Sequence, residues 1–186
     1  MSDPDTLSEQ RRGVLQRRAI WLSYGSLAYN IIEGVVTVWA GIAAGSIALI
    51  GFGLDSAIES LSSVVMIWRF RGAGGLEEGE VTRREETAVT LVAYTFYILA
   101  AYVVYEALET VISRDAPDPS SVGIIAAALS LVIMPGLAYL KRIVGEELGS
   151  RSLVADSKET LACSWLSAAL LLGLGLNYLW GLWWAD

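Results

Sequence analysis

Five stretches of about twenty mostly apolar residues constrain this 186-residue chain more than any other feature. A segment crossing a bilayer must satisfy its own backbone, because no water is present to do so, and an α-helix of about 20 apolar residues meets both demands. The stretches fall at about 19–41, 46–68, 87–112, 122–140 and 153–184. The first two are separated only by a small-residue turn, Ile42 to Gly45. The expected fold is all-α: a polytopic bundle of five transmembrane helices, with residues 1–18 as a polar cytoplasmic tail and 19–186 as the transmembrane domain. Residues 1–18 lack the short basic start and apolar run of a signal peptide.

Lys and Arg in short loops stay on the cytoplasmic side. Arg11, Arg12, Arg17 and Arg18 precede the first stretch; Arg69, Arg71, Arg83 and Arg84 lie between the second and third; Lys141, Arg142 and Arg151 lie between the fourth and fifth. Only Arg114 falls on the opposite side. A cell-membrane protein with its N-terminus inside and C-terminus outside is expected. The run Arg114 to Pro119 reads as an outward turn and Gly72 to Gly75 as a flexible inner loop. Tyr178, Trp180, Trp183 and Trp184 read as an aromatic belt at the outer interface. Met134-Pro135-Gly136 is expected to kink the fourth helix.

Composition narrows the functional classes. The chain has no histidine and one cysteine, Cys163. Ser-His-Asp and Cys-His centres are therefore excluded, as is an intrachain disulfide. No nucleophile is paired with a base and no cofactor loop is present, so neither an enzyme nor a resident cofactor is expected. A net charge of −7 with dispersed basic residues argues against nucleic acid as a partner and leaves the lipid bilayer.

The remaining signal is acidic. An ionised side chain at the bilayer centre costs about 3 kcal/mol on insertion scales, so such residues face a polar interior and call for a partner. Asp55 and Glu59 stand at i and i+4 in the second stretch, on one helical face, with Ser56, Ser60, Ser62 and Ser63 nearby. In the fifth stretch Glu159 and Cys163 repeat the spacing, with Asp156 one turn earlier. Two helices each offering two ligands can cage one divalent cation through Asp55, Glu59, Glu159 and Cys163. Its binding would relieve the repulsion between the carboxylates and release protons. A thiolate ligand suits zinc or cadmium better than magnesium or calcium. Against this stand a protonated carboxyl pair used for helix assembly, and Cys163 as a small buried apolar residue. In the first stretch Asn30 and Glu33 read as groups that hydrogen-bond and orient the metal ligands or relay protons, or as interhelical hydrogen-bond formers; Asp156 joins them as a candidate to support the ligands or relay protons. Lys158 is expected to pair with Asp156 or to reach the surface along its own stem.

These residues resemble the cation diffusion facilitator, or cation efflux, family. The resemblance rests on the run from Gly45-Ser46 to Asp55 and Glu59, on Leu153-Val154-Ala155-Asp156 followed by Glu159, Thr160 and Cys163, and on Asn30 with Glu33. It covers roughly 18–186. It implies proton-coupled efflux of zinc or a related divalent ion, usually by a homodimer, with Asp55, Glu59, Glu159 and Cys163 as the transport ligands. Family ligand positions are commonly Asp or His, so Glu59, Glu159 and Cys163 are departures that bear on the choice of ion. Members usually have six spans and many add a cytoplasmic metal-binding domain; this chain is expected to be a truncated form lacking both, the other reading being that a partner supplies the missing helix. Two other readings remain. One is a small proton-coupled exporter of organic cations, with Glu33 surrounded by Trp21, Tyr24, Tyr29 and Trp39. The other is a non-transporting assembly subunit whose acids stay neutral.

Overall fold

In the computed structural model, which describes residues 4–71, 78–113, 118 and 120–182, the apolar stretches form five helices. They are α1 (Pro4–Ala44), α2 (Ile47–Phe70), α3 (Glu78–Ser113), α4 (Ser121–Leu148) and α5 (Arg151–Trp180). Among the described residues, four helices are long and apolar enough to cross a bilayer: Glu9–Ala44, Ile47–Phe70, Ser121–Leu148 and Arg151–Trp180. Helix α3 occupies the third expected stretch and, at 36 residues, measures about 54 Å. The chain is an all-α, multi-pass membrane helix bundle. The expected turn around 114–117, the Gly72–Gly75 loop and Trp183–Trp184 lie outside the described residues.

One ten-residue device makes both tight hairpins. Gly45 ends α1 in the left-handed region at φ 66, and Ser46 then caps α2 by accepting a hydrogen bond from the Leu49 amide at 3.1 Å. Gly149 ends α4 at φ 65, and Ser150 caps α5 by accepting from the Leu153 amide at 3.3 Å. In each turn the serine amide donates back to a glycine carbonyl, Ser46 to Gly41 at 3.0 Å and Ser150 to Gly145 at 2.9 Å. A glycine at C′ and a serine at the N-cap satisfy the orphan groups of two helix ends in two residues. Gly41 and Gly145 are needed because the incoming helix passes close: a β-carbon at Gly41 would meet Ile50 N at 2.8 Å, and one at Gly145 would meet Val154 N at 3.1 Å.

The two hairpins pack together through α1 against α4 and α2 against α5, and α3 covers α2 and α5. Glu85 of α3 fixes this arrangement at one end. Its carboxylate receives the Arg69 Nε–H from α2 at 2.6 Å, the Ser152 amide from the first turn of α5 at 2.5 Å, and the Ser150 hydroxyl at 3.1 Å. Burial acts to raise the Glu85 pKa, but the Ser152 amide and the Arg69 guanidinium outweigh it and hold the carboxyl below its ordinary value.

The helices extend beyond the apolar stretches. Residues 4–18, expected as a tail, are the first turns of α1, where Leu15 and Ala19 are buried and Arg11 meets Glu147 of α4 at 3.2 Å. Helix α4 runs through Pro135 and on to Leu148. Hydropathy records where lipid begins; it says nothing of where backbone hydrogen bonding stops.

Polarity is inverted relative to a soluble core. Ile32, Val35, Trp39, Val132, Trp165 and Leu172 face outward, whereas Ser23, Ser26, Asn30, Thr37, Ser130 and Ser167 are buried. Small hydroxyl side chains let helices approach and supply hydrogen bonds where hydrocarbon supplies none. Two apolar clusters close the bundle toward its ends. Leu49, Phe52, Ala127, Met134, Leu170 and Leu174 lie on the side of the α1–α2 turn, and Ala19, Met66, Phe70, Val144 and Leu153 on the other. Between them lies a layer of charged and hydroxyl groups.

Because the hairpin depends on the bare face of Gly41, Gly41→Val is expected to cost about 1–3 kcal/mol through overpacking. Gly25→Ala, where an added β-carbon meets nothing within 4 Å, is expected to be neutral or stabilising. Thermal unfolding in detergent compares the two.

Candidate metal centre

The charged layer is assembled from α2, α4 and α5. Asp55 and Glu59 lie near the midpoint of α2, and Glu159 and Cys163 near the first third of α5; all four side chains are buried. The helices run antiparallel. Ser62 donates to Glu159, Glu59 accepts from Thr160 Oγ1 at 2.6 Å, and Asp55 lies beside Cys163. The register therefore brings all four sequence-predicted residues to one face of the α2–α5 interface.

The side chains are not gathered into a cage as they stand. Among the described residues, no group of three or more Cys, Asp or Glu side chains is placed to hold a metal ion. The reason lies in their partners. Glu159 is engaged by Ser62, and Glu59 is turned toward Thr160 and α4. Asp55 Oδ2 and Glu59 Oε2 are buried without a hydrogen-bond partner among the described residues. Each is a carboxylate oxygen with capacity to spare in a place where unmet capacity is costly.

The partner on α4 is Lys141, the largest fully buried side chain among the described residues. Its ammonium lies 3.0 Å from Asp156 Oδ2 and 3.8 Å from Glu59 Oε1, and it donates to Thr160 Oγ1 at 2.8 Å. Thr160 passes this polarisation on by donating to Glu59. One cation thus serves two carboxylates from two helices.

This corrects the reading of Lys141 as a loop charge that orients the chain. Helix α4 continues past it, and it falls on the buried face with Ser130, Met134, Ala138 and Gly145. Those residues recur at three- and four-residue intervals, a stripe that would have exposed the role of Lys141 had the end of α4 been placed at Gly149. Of the two alternatives for Lys158, the structure has it exposed at the surface, and Asp156 pairs instead with Lys141 of the neighbouring helix. Ser62, expected on the acid-bearing face as a small hydrogen-bonding residue, holds Glu159, and Thr160, given no such role by the sequence, holds Glu59.

Of the first-helix candidates, Glu33 accepts hydrogen bonds from Tyr29 Oη at 3.0 Å and from Ser56 Oγ at 2.9 Å, joining α1 to α2 beside Asp55. Asn30 is buried one turn earlier, with its amide unpaired among the described residues. An aromatic enclosure around Glu33 is not formed: Trp21 and Trp39 are 76% and 67% exposed and point away from the bundle, and Tyr24 lies under Arg71. Tyr29 remains as its aromatic neighbour.

Asp156→Asn takes away the nearer of the two carboxylates beside the buried Lys141 ammonium, leaving Glu59 at 3.8 Å, and is expected to cost up to about 3–5 kcal/mol. Lys158→Met, on the exposed side of the same helix turn, is expected to stay within about 0.5 kcal/mol. Denaturation in detergent separates them.

Residues 23–186 match the Cation efflux transmembrane domain family. The chain is 25% identical over 157 residues to Transmembrane protein 163 of Xenopus laevis, covering 84% of this chain and 55% of the relative. It is 24% identical over 146 residues to Uncharacterized transporter sll1263 of Synechocystis sp., covering 76% of this chain and 47% of the relative. The chain thus spans about half the length of the curated relatives it matches. With acid pairs on facing membrane helices and a family match reaching from α1 through the end of α5, the chain belongs to the cation efflux family.

Proposed function

We propose that the chain is the transmembrane part of a proton-coupled efflux transporter for a divalent, zinc-like cation. The observation that carries this reading is the meeting of Asp55, Glu59, Glu159 and Cys163 on one buried α2–α5 interface. Carboxylates and a thiolate form a ligand set for a borderline-soft ion, and the lack of histidine leaves charge neutralisation to the acids. The cation is cargo. Its ligands must be deprotonated to hold it, so release of the ion and uptake of protons are two sides of one exchange.

Loading requires Glu59 to leave Thr160 and Glu159 to leave Ser62. Both glutamates have the side-chain torsions to do so without movement of the helix backbone. All four proposed ligands are buried, Cys163 within the apolar cluster on the side of the α1–α2 turn, so none is open to solvent in the described conformation. Alternating access then consists of opening one cluster at a time, as in other transporters whose site lies near the bilayer midplane.

The working unit is a homodimer in the cell membrane with the N-terminus on the cytoplasmic side. Orientation rests on the Arg residues at the end where α1 begins and α2 finishes: Arg11, Arg12, Arg17, Arg18, Arg69, Arg71, Arg83 and Arg84, with Arg142 and Arg151. The bias survives the withdrawal of Lys141 into the bundle.

Asp55→Asn and Glu159→Gln are expected to lower zinc-dependent proton flux in proteoliposomes by more than about tenfold, the lower range for loss of groups that merely support a ligand. Unaltered flux in both, with the proteins inserted and folded, would remove the proposed ligands.

A further inference from the structure

Glu59 has two claims on it. It belongs to the ligand set proposed for the transported ion, and its Oε1 lies 3.8 Å from the Lys141 ammonium. A metal coordinated by that oxygen at about 2.1 Å would stand within about 6 Å of Nζ. Two cations that close, enclosed by α2, α4 and α5 with little water, repel strongly. They cannot both be held by Glu59 on equal terms. Asp156, 3.0 Å from Nζ and not among the proposed ligands, gives the ammonium a second place to rest.

We infer that Lys141 is a tethered competitor for the transported cation, holding Glu59 when the site is empty and yielding it, while keeping Asp156, when a divalent ion arrives. This rests on the proposed transport function and deepens it: Lys141 is a positioning residue that sets affinity and selectivity. A divalent ion brings twice the charge of the ammonium and can displace it from a shared carboxylate. A monovalent ion brings no such advantage. On release Lys141 takes Glu59 back, which lowers affinity for the departing ion and leaves neither Glu59 nor Asp156 without a neighbouring cation. Thr160, bonded to both Nζ and Glu59 Oε1, is the hinge of the exchange.

Two measurements on the full chain in detergent test this. In calorimetric titration with zinc, Lys141→Met is expected to bind at least about tenfold more tightly than the wild type, since a competing charge has gone. Equal or weaker binding by a folded variant overturns the inference. The second needs no variant. The chain has two lysines, Lys141 and exposed Lys158, so protein carrying 13Cε-lysine gives one signal for the site and one internal reference. Zinc is expected to shift the Lys141 signal and leave Lys158 in place. Should Lys141→Met fail to fold, a Lys141 signal unmoved by zinc that demonstrably binds overturns the inference by itself. A wild-type protein that binds neither zinc, cadmium nor manganese overturns the transport reading, and this inference with it, which distinguishes the two failures.

Discussion

A charge carried into hydrocarbon must be compensated there, and this requirement organises the bundle. Asp55, Glu59, Asp156 and Glu159 are buried together, a concentration of acidic groups that apolar packing alone could not sustain. Lys141 answers part of it directly. Thr160 and Ser62 answer more through hydrogen bonds, and the ion proposed as cargo would answer the rest. The helix order follows from this need. Lysine from α4, carboxylates from α2 and carboxylates from α5 can meet only if both hairpins close tightly and in register. That closure is the work of Gly41-x3-Gly45-Ser46 and its counterpart Gly145-x3-Gly149-Ser150.

The same constraint accounts for what sequence could and could not disclose. Apolar stretches separate from polar ones by composition, so the membrane bundle was legible, as was the turn at Gly45. The end of α4 was not. Its last two turns carry Lys141, Arg142, Glu146 and Glu147, and hydropathy takes such a segment for a loop although its backbone remains helical. The Gly149-Ser150 pair held the missing signal, a C′ glycine followed by an N-cap serine. Read that way, Lys141 falls on the interior stripe.

The acid pairs were legible for a different reason: i and i+4 residues share a helix face whatever the helix packs against. Partners across helices depend on register and were hidden. Nothing local distinguishes Ser62, which holds Glu159, from Ser60, which bonds its own backbone at Ser56. Glu85, which ties α2 and α3 to the start of α5, looked like one more charge in a polar stretch. Such residues are recognisable only once the helices are assembled.

The central claim is that α2 and α5 supply one mixed carboxylate and thiolate shell to a single ion. Zinc K-edge X-ray absorption of the zinc-loaded protein examines that shell directly. The account predicts one sulfur at about 2.3 Å, contributed by Cys163, with carboxylate oxygens at about 2.0–2.2 Å, the sulfur vanishing in Cys163→Ser. A shell of oxygen alone in the wild type, or one that Asp55→Asn and Glu159→Gln leave unchanged, would contradict it.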